Sequence, residues 1–277
     1  MADPDISRTF AGPVVGNRDL GRTIPGPEMP LLSLPPERDV FFTRRLGCVQ
    51  HAPLFNSLSL TDCTAIASLA REHCVRIRQK IFCEGDPVGC VFVLASGRVK
   101  ITQACRSGAE VILRVVGSGE VVAGLGLSSQ SLHVLTAQAL ESCRVLTWEA
   151  RTYEALCQRL PVLARNSLRI LADWQRILEE RFLELATQPV GQRLARMLVR
   201  LLKQRGGVPQ EPGLIGLTRR ELAQMIGASM FTVSRLLCDW EDQGILETRR
   251  KAVVVQSPRH LIEFAEAVRN NDARQDS

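Results

Sequence analysis

At 277 residues, 45% hydrophobic and 23% charged, the chain is long enough for two domains with cores of their own and has the make-up of a soluble globular protein. Its net charge of +6 and pI of about 9.0 suit a nucleic-acid partner without requiring one. No run approaches the roughly 18 apolar residues that a membrane span needs, and Met-Ala-Asp-Pro-Asp at the start is unlike a secretory leader. A cytoplasmic protein with no membrane partner is therefore expected.

The nine cysteines, at 48, 63, 74, 83, 90, 105, 143, 157 and 238, are never closer than seven residues and form no C-x-x-C. That pattern and the odd count point to reduced thiols rather than a disulfide or metal framework. The four histidines, at 51, 73, 133 and 260, make no i, i+4 pair, and no P-loop or G-x-S-x-G occurs. No catalytic residue and no metal site is read, so an enzyme is not expected.

In chain order, residues 1–38 carry seven of the fourteen prolines and no periodic pattern, and are read as a disordered arm. After Leu54 a short helical run from Thr61 to Arg71 leads into segments of period two: Val75-Arg-Ile, Lys80-Ile-Phe, Val91-Phe-Val-Leu, Arg98-Val-Lys-Ile-Thr, Glu110-Val-Ile-Leu-Arg-Val-Val and Arg144-Val-Leu-Thr-Trp148. Between them lie Glu84-Gly-Asp-Pro, Ala95-Ser-Gly and Gly117-Ser-Gly-Glu. Short strands at even spacing with such turns indicate an antiparallel roll or sandwich, assigned to residues 39–160.

Residues 161–187 form a long helix in which Leu171, Leu178 and Leu185 recur every seven, with Leu168 and Trp174 in the interval and Ile170 and Ile177 widening the stripe. A helix of about 25 residues spans close to 40 Å, more than one small roll covers. The stripe of Leu171, Trp174, Leu178 and Leu185 is expected to pair with the same helix of a second chain.

The remainder, 188–277, holds a basic amphipathic helix from Gln192 to Gln204, a Gly-Pro loop from Gly206 to Gly213, and then two short helices. Thr218 and Glu221 have the spacing of a capping box. Leu222 and Ile226 share a face, Gly227 can take the positive φ of a helix stop, and Ser229 can cap the next helix. There Val233, Leu236, Leu237 and Trp240 make one apolar stripe. Phe231 and Arg235 point away from it, with Thr232 and Ser234 on its flanks. A helix anchored by one face and presenting Arg, Phe and hydroxyls on the other reads as the second helix of a helix-turn-helix. Ile245-Leu-Glu-Thr and Ala252-Val-Val-Val-Gln then make a hairpin with the basic tip Arg249-Arg-Lys251, a wing suited to phosphates. Ser257 caps a last helix through Val268. Between Gln188 and His260 there are 12 Lys and Arg against 6 Asp and Glu, so the basic excess sits with these helices.

A β-roll, a long dimer-type helix and a winged helix-turn-helix, in that order, resemble the Crp/Fnr family of bacterial transcription regulators over roughly residues 50–268. Gly85-Asp86, Val91-Phe-Val-Leu-Ala-Ser-Gly-Arg-Val-Lys100 and Gly119-Glu120 look like the turns of its effector domain. Leu217-Thr-Arg-Arg-Glu-Leu, Gly227-Ala-Ser and Thr232-Val-Ser-Arg-Leu-Leu look like its DNA-binding core. The resemblance implies an α+β fold, a homodimer, double-stranded DNA with a pseudo-palindromic site as partner, and RNA polymerase as a second partner. It implies base reading by Arg235 with Met230, Phe231 and Ser234, and phosphate contacts by Thr218, Arg219, Ser229, Thr232 and the wing tip Arg249, Arg250 and Lys251. Phe231 departs from the family, which commonly has a glutamate there; phenylalanine cannot accept from a cytosine amino group but can pack on a thymine methyl.

The effector pocket that the resemblance implies falls on Gly119, Glu120, Gly124, Leu125, His133 and Val134. Members that bind cyclic AMP use a Gly-Glu-Leu turn and an Arg-Ser pair. Here Val121-Val-Ala-Gly-Leu-Gly-Leu127 and His133-Val134 stand in those places, so a phosphate would lack its bidentate partner and cyclic AMP is not expected. The cofactor stays open. Haem sensing would need an axial ligand such as His51, His73 or His133, redox sensing a thiol such as Cys90 or Cys105, and an iron–sulfur cluster more neighbours than Cys48, Cys63 and Cys74 provide. A scaffold that kept the fold without binding DNA is the remaining alternative.

Overall fold

The computed structural model describes residues 38–106, 108–125, 131–204 and 211–266. The arm expected over residues 1–38 lies outside them except for its last residue, which opens a helix that the sequence pattern did not announce, α1 (Arg38–His51). A 3-10 turn at Pro53–Phe55 follows, and then α2 (Leu60–Leu69), whose Asp62 N–H donates to the Ser59 hydroxyl at 3.1 Å. This helix ends two residues before the expected Arg71. Arg71 already belongs to a strand, β1 (Arg71–Val75), paired along its whole length with β8 (Cys143–Glu149).

The roll adds β2 (Lys80–Phe82), β3 (Cys90–Ser96), β4 (Val99–Ala104), β5 (Glu110–Val116), β6 (Val121–Ala123) and β7 (Thr136–Ala139). Two four-stranded antiparallel sheets result, in the orders β1-β8-β3-β6 and β2-β7-β4-β5. Alternating side chains from both, among them Val75, Phe82, Leu94, Ile101 and Val145, fill the space between them. β6 and β7 are strands that the sequence reading passed over. With three and four residues and little apolar alternation, each depends on a partner strand, β3 and β4 respectively.

The roll closes on tight glycines. Gly124 has φ +97°, and a Cβ there would stand 2.4 Å from the Cys90 carbonyl oxygen and 2.8 Å from Val91 Cα. Both the backbone conformation and the space exclude a side chain. Gly124→Ala is therefore expected to destabilise the roll by about 1–3 kcal/mol, read as a lowered thermal midpoint for the roll's transition.

A second apolar core lies outside the first sheet, where α1, α2, α3 (Ala150–Arg159) and the first half of α4 (Pro161–Thr187) pack around Trp148. The indole N–H of Trp148 donates to Ile66 O at 2.9 Å, and the Asn166 amide donates to Leu54 O and Asn56 O at 3.0 and 2.9 Å. The long helix is thus fixed to the roll at its N-terminal end.

Farther along α4, the expected stripe divides. Trp174 turns to its own roll, where the Arg114 guanidinium carbon lies 3.5 Å from the ring centre, and Leu171 is partly packed there too. Leu178 and Leu185 are exposed at 48% and 49%, together with Leu168 at 68% and Phe182 at 71%. The row 168, 171, 175, 178, 182, 185 alternates steps of three and four, the spacing of a coiled-coil seam. Gln175 thus replaces Trp174 in the row, and Phe182 joins it.

Candidate nucleic-acid interface

The second half of the chain builds one apolar core from α5 (Val190–Gln204), β9 (Gly213–Ile215), α6 (Arg219–Ile226), α7 (Met230–Asp242), β10 (Leu246–Arg249), β11 (Ala252–Val255) and α8 (Pro258–Glu266). β9 stands at the end of the segment read as a loop; it pairs with β11 and makes the wing a three-stranded sheet, β10-β11-β9.

The turn between α6 and α7 forms as local chemistry dictates. The Glu221 N–H donates to Thr218 Oγ1 at 3.2 Å, and the Thr218 N–H donates to the Glu221 carboxylate at 2.8 Å, a complete capping box. Gly227 ends α6 with φ 63° and ψ 46°. The Thr232 N–H donates to Ser229 Oγ at 3.0 Å and caps α7. Val233, Leu237 and Trp240 are buried, which fixes the rotation of α7 about its axis.

That rotation leaves Met230 51% and Phe231 75% exposed, with Arg235 exposed beside them and Ser234 half-buried at the edge. Among the described residues no hydrogen bond or ion pair holds the Arg235 guanidinium. Phe231 and Arg235 thus share an outward, exposed face.

The phosphate candidates are less uniform. Thr218, Ser229 and Thr232 use their hydroxyls in the two caps, at the ends of helices whose N-terminal N–H groups suit anions. Arg219 donates to Thr248 Oγ1 at 3.2 Å, and Thr248 binds the Glu241 carboxylate through its N–H and hydroxyl, both at 2.7 Å. Those two bonds hold the Glu241 carboxyl below its ordinary range. Arg219 therefore braces the wing against α6, while Thr248 and Glu241 join the wing to α7, and Arg219 is also exposed in part. At the tip Arg249 pairs with Glu247 at 2.8 Å, whereas Arg250 and Lys251 occupy the two-residue turn between paired Arg249 and Ala252 and are exposed.

Comparison with known proteins agrees with this architecture. Residues 73–160 match the model of the cyclic nucleotide-binding domain, and residues 192–264 that of the Crp-like helix-turn-helix domain. The cyclic AMP receptor protein of Thermus thermophilus is 30% identical over 217 residues, covering 77% of this chain and 97% of that protein. The chain belongs to the Crp/Fnr family. Its relatives there include the fumarate and nitrate reduction regulatory protein of Escherichia coli K12, 26% identical over 205 residues, which cover 73% of this chain and 81% of that one. Among solved structures, FixK2 from Bradyrhizobium japonicum superposes with a TM-score of 0.62 at 25% identity, over 70% of this chain and 96% of its own.

The resemblance placed six expected effector residues, Gly119, Glu120, Gly124, Leu125, His133 and Val134, in the roll. The surroundings of these six differ from one to the next. Gly119 and Glu120 meet Leu94 through backbone bonds of 2.7 and 2.9 Å, and the Glu120 carboxylate accepts from the Gly117 N–H at 2.7 Å. Gly124 lies against Cys90 and Val91, and Leu125 is buried in the helix-side core. His133 exchanges backbone bonds with Gly85 and Asp86, is 4% exposed, and stacks on Phe82 at 3.8 Å between ring centres; Val134 is 66% exposed.

Burial lowers the pKa of His133 below the usual histidine value, with Asp86 opposing. Burial thus disfavours the charged imidazole, so His133 is a poor cationic partner for a phosphate. Because the unfolded chain takes up a proton that the folded site resists, the contribution of His133 to stability should fall as pH drops below about 6.5 and be constant above it. Urea unfolding against pH checks this: His133→Gln should show a shallower acid slope, with the remainder from His73, whose pKa burial also lowers.

The other sensing candidates sit in ordinary surroundings. His73 Nε2 lies 3.0 Å from Thr147 Oγ1, and His51 Nδ1 lies 2.7 Å from Gly47 O. Burial raises the thiols of Cys48, Cys63, Cys90, Cys143 and Cys157, that of Cys48 to about 11, which works against thiolate chemistry. Cys74 and Cys105 are exposed. Among the described residues no three His, Cys, Asp or Glu side chains gather as a metal site would need, and no helix is long and apolar enough to cross a membrane.

Proposed function

We propose that the protein is a homodimeric, sequence-specific DNA-binding transcription regulator. The observation that carries this reading is the outward face of α7. Its opposite side is locked in a core, its N-terminus is capped, Phe231 and Arg235 are exposed, with no hydrogen bond or ion pair to Arg235 among the described residues, and the same unit carries an exposed basic wing tip. A helix held this way fits the major groove, with Arg235 bidentate to a guanine and Phe231 against a thymine methyl. Arg250 and Lys251 add phosphate contacts that set register rather than sequence. Met230, Ser234 and the capping hydroxyls complete the proposed surface.

The exposed row Leu168, Leu178, Phe182 and Leu185 supports dimerisation through α4. A two-fold dimer calls for a pseudo-palindrome with half-sites about 34 Å apart. The division of labour is then residues 39–160 for sensing, 161–187 for dimerisation and 188–277 for DNA, with RNA polymerase as the partner of the promoter-bound dimer. The effector is taken not to be cyclic AMP, since buried, stacked His133 is a poor cationic partner for a phosphate.

Selection from a randomised duplex pool, followed by gel-shift titration, tests the proposal. A palindromic motif should emerge, affinity should fall steeply with salt, and cyclic AMP should leave binding unchanged. Recovery of no preferred sequence would overturn it.

A further inference from the structure

The DNA-binding unit is fastened to the outer side of strand β5, and the fastening centres on Arg181. Arg181 lies seven residues, two turns, beyond Trp174 on α4, so both side chains leave the helix on nearly the same side. Its guanidinium donates to Leu113 O on β5 and to Met225 O in the last turn of α6. One side chain thereby holds the roll, the long helix and the helix-turn-helix together. Met225 O is among the carbonyls that a helix end leaves without an intrahelical partner, and a cation suits that end.

Further contacts repeat the connection. The Gln224 amide donates to the Glu110 carboxylate at 3.3 Å, and the Gln204 amide donates to Val115 O at 3.3 Å. Arg98 joins Glu141 at 3.1 Å and Gly216 O at 3.3 Å. Ile112 and Val115 of β5, 0% and 4% exposed, belong to the same apolar cluster as Leu222, Ala223, Met225 and Ile226 of α6. The neighbouring Arg114 ties β5 to α4 independently, by lying over the Trp174 ring, and to β6 through a 2.6 Å bond to Val122 O. None of these contacts covers α7, so the docked arrangement orients the recognition helix without hiding it.

We propose that Arg181 is a positioning residue: it sets the direction of the recognition helix relative to the roll and the dimer axis, and so couples any shift of β5 to α6. The proposal rests on the dimeric DNA-binding reading above. A clamp of this kind specifies the distance between the two recognition helices, hence the half-site spacing, and leaves base preference within a half-site to α7.

The test uses the full chain and the variants Arg181→Gln, Arg181→Lys and, in case the first does not fold, Gln224→Ala at the rim of the contact. In the free protein, hydrogen exchange of peptides from β5 and α6 should speed up in the variants. In gel shifts on the selected palindrome with its spacer lengthened or shortened by one base pair, the parent should lose about tenfold or more in affinity. The Arg181 variants should lose much less while keeping the same base preference. Arg181→Lys should resemble Arg181→Gln, because an ammonium does not fork across two carbonyls as a guanidinium does.

Unchanged exchange in both peptides overturns the clamp, whatever happens on DNA. Faster exchange with spacer discrimination intact overturns the positioning role. A parent protein that selects no palindrome overturns the DNA-binding reading instead, and the exchange measurement still decides the clamp.

Discussion

Arg235→Ala is expected to weaken binding to the selected operator by about 1–3 kcal/mol per half-site and to abolish preference at one base pair in each. The magnitude follows from what the side chain is free to do. On the exposed face of α7 it has no intrachain hydrogen bond or ion pair among the described residues, so its removal should cost the fold little. On DNA its planar fork matches guanine O6 and N7. Competition gel shifts over all four bases at each position of the half-site measure both effects. Arg250→Ala at the wing tip is the control. It should weaken all sequences alike and lower the salt slope by about one, because a phosphate contact carries no base information. If Arg235→Ala behaved like Arg250→Ala, base reading would have to be reassigned, with Phe231 the next residue to test.

The largest stability effect is expected at Glu184. Its side chain is only 9% exposed, and its two carboxylate oxygens accept from the two terminal nitrogens of Arg200 at 2.7 and 2.8 Å, with Arg196 at 3.8 Å. Burial lowers the pKa of Arg181 to about 10, with nearby Arg200 lowering it further and Glu184 opposing. Glu184 is thus the anion among three guanidinia where α4 meets α5. Removing one member of a buried pair leaves the other uncompensated, and Glu184→Ala should cost about 3–5 kcal/mol. A urea midpoint that moves for the DNA-binding unit but not for the roll would show it. Glu184→Gln should recover part of the loss through hydrogen bonding, without the charge.

Both effects depend on features of different legibility. The helix-turn-helix could be read from the chain because its signals act over three or four residues. Thr218 with Glu221, Gly227 with its left-handed backbone, and the period of Val233, Leu237 and Trp240 are each decided by neighbours in sequence. The outward position of Phe231 and Arg235 follows from that period alone. The winged hairpin was equally plain, since a two-residue turn separates its strands.

What was not legible depends on partners far along the chain. Strands β6, β7 and β9 have three or four residues each and exist by pairing. Helix α1 lacks a clear apolar stripe and is held by α2 and the roll's outer core. In α4 the heptad was visible but not its division. Trp174 was read into the dimer stripe, but Arg114, sixty residues earlier, lies on its ring, and Phe182, exposed at the spacing of the proposed row, was not read into it. In the roll, His133 could be placed near the expected effector position but not seen to stack on Phe82.

By itself, then, the sequence determined the order of units, the capped and rotated second helix of the helix-turn-helix and the basic wing, because backbone capping and side-chain period are short-range and need no tertiary partner. Only the tertiary structure decided which face of the long helix is left open, that His133 is buried against Phe82, and that Arg181 joins β5 to α6. Those outcomes are contacts between segments about 45 to 70 residues apart, where packing and desolvation, rather than local propensity, choose the partner.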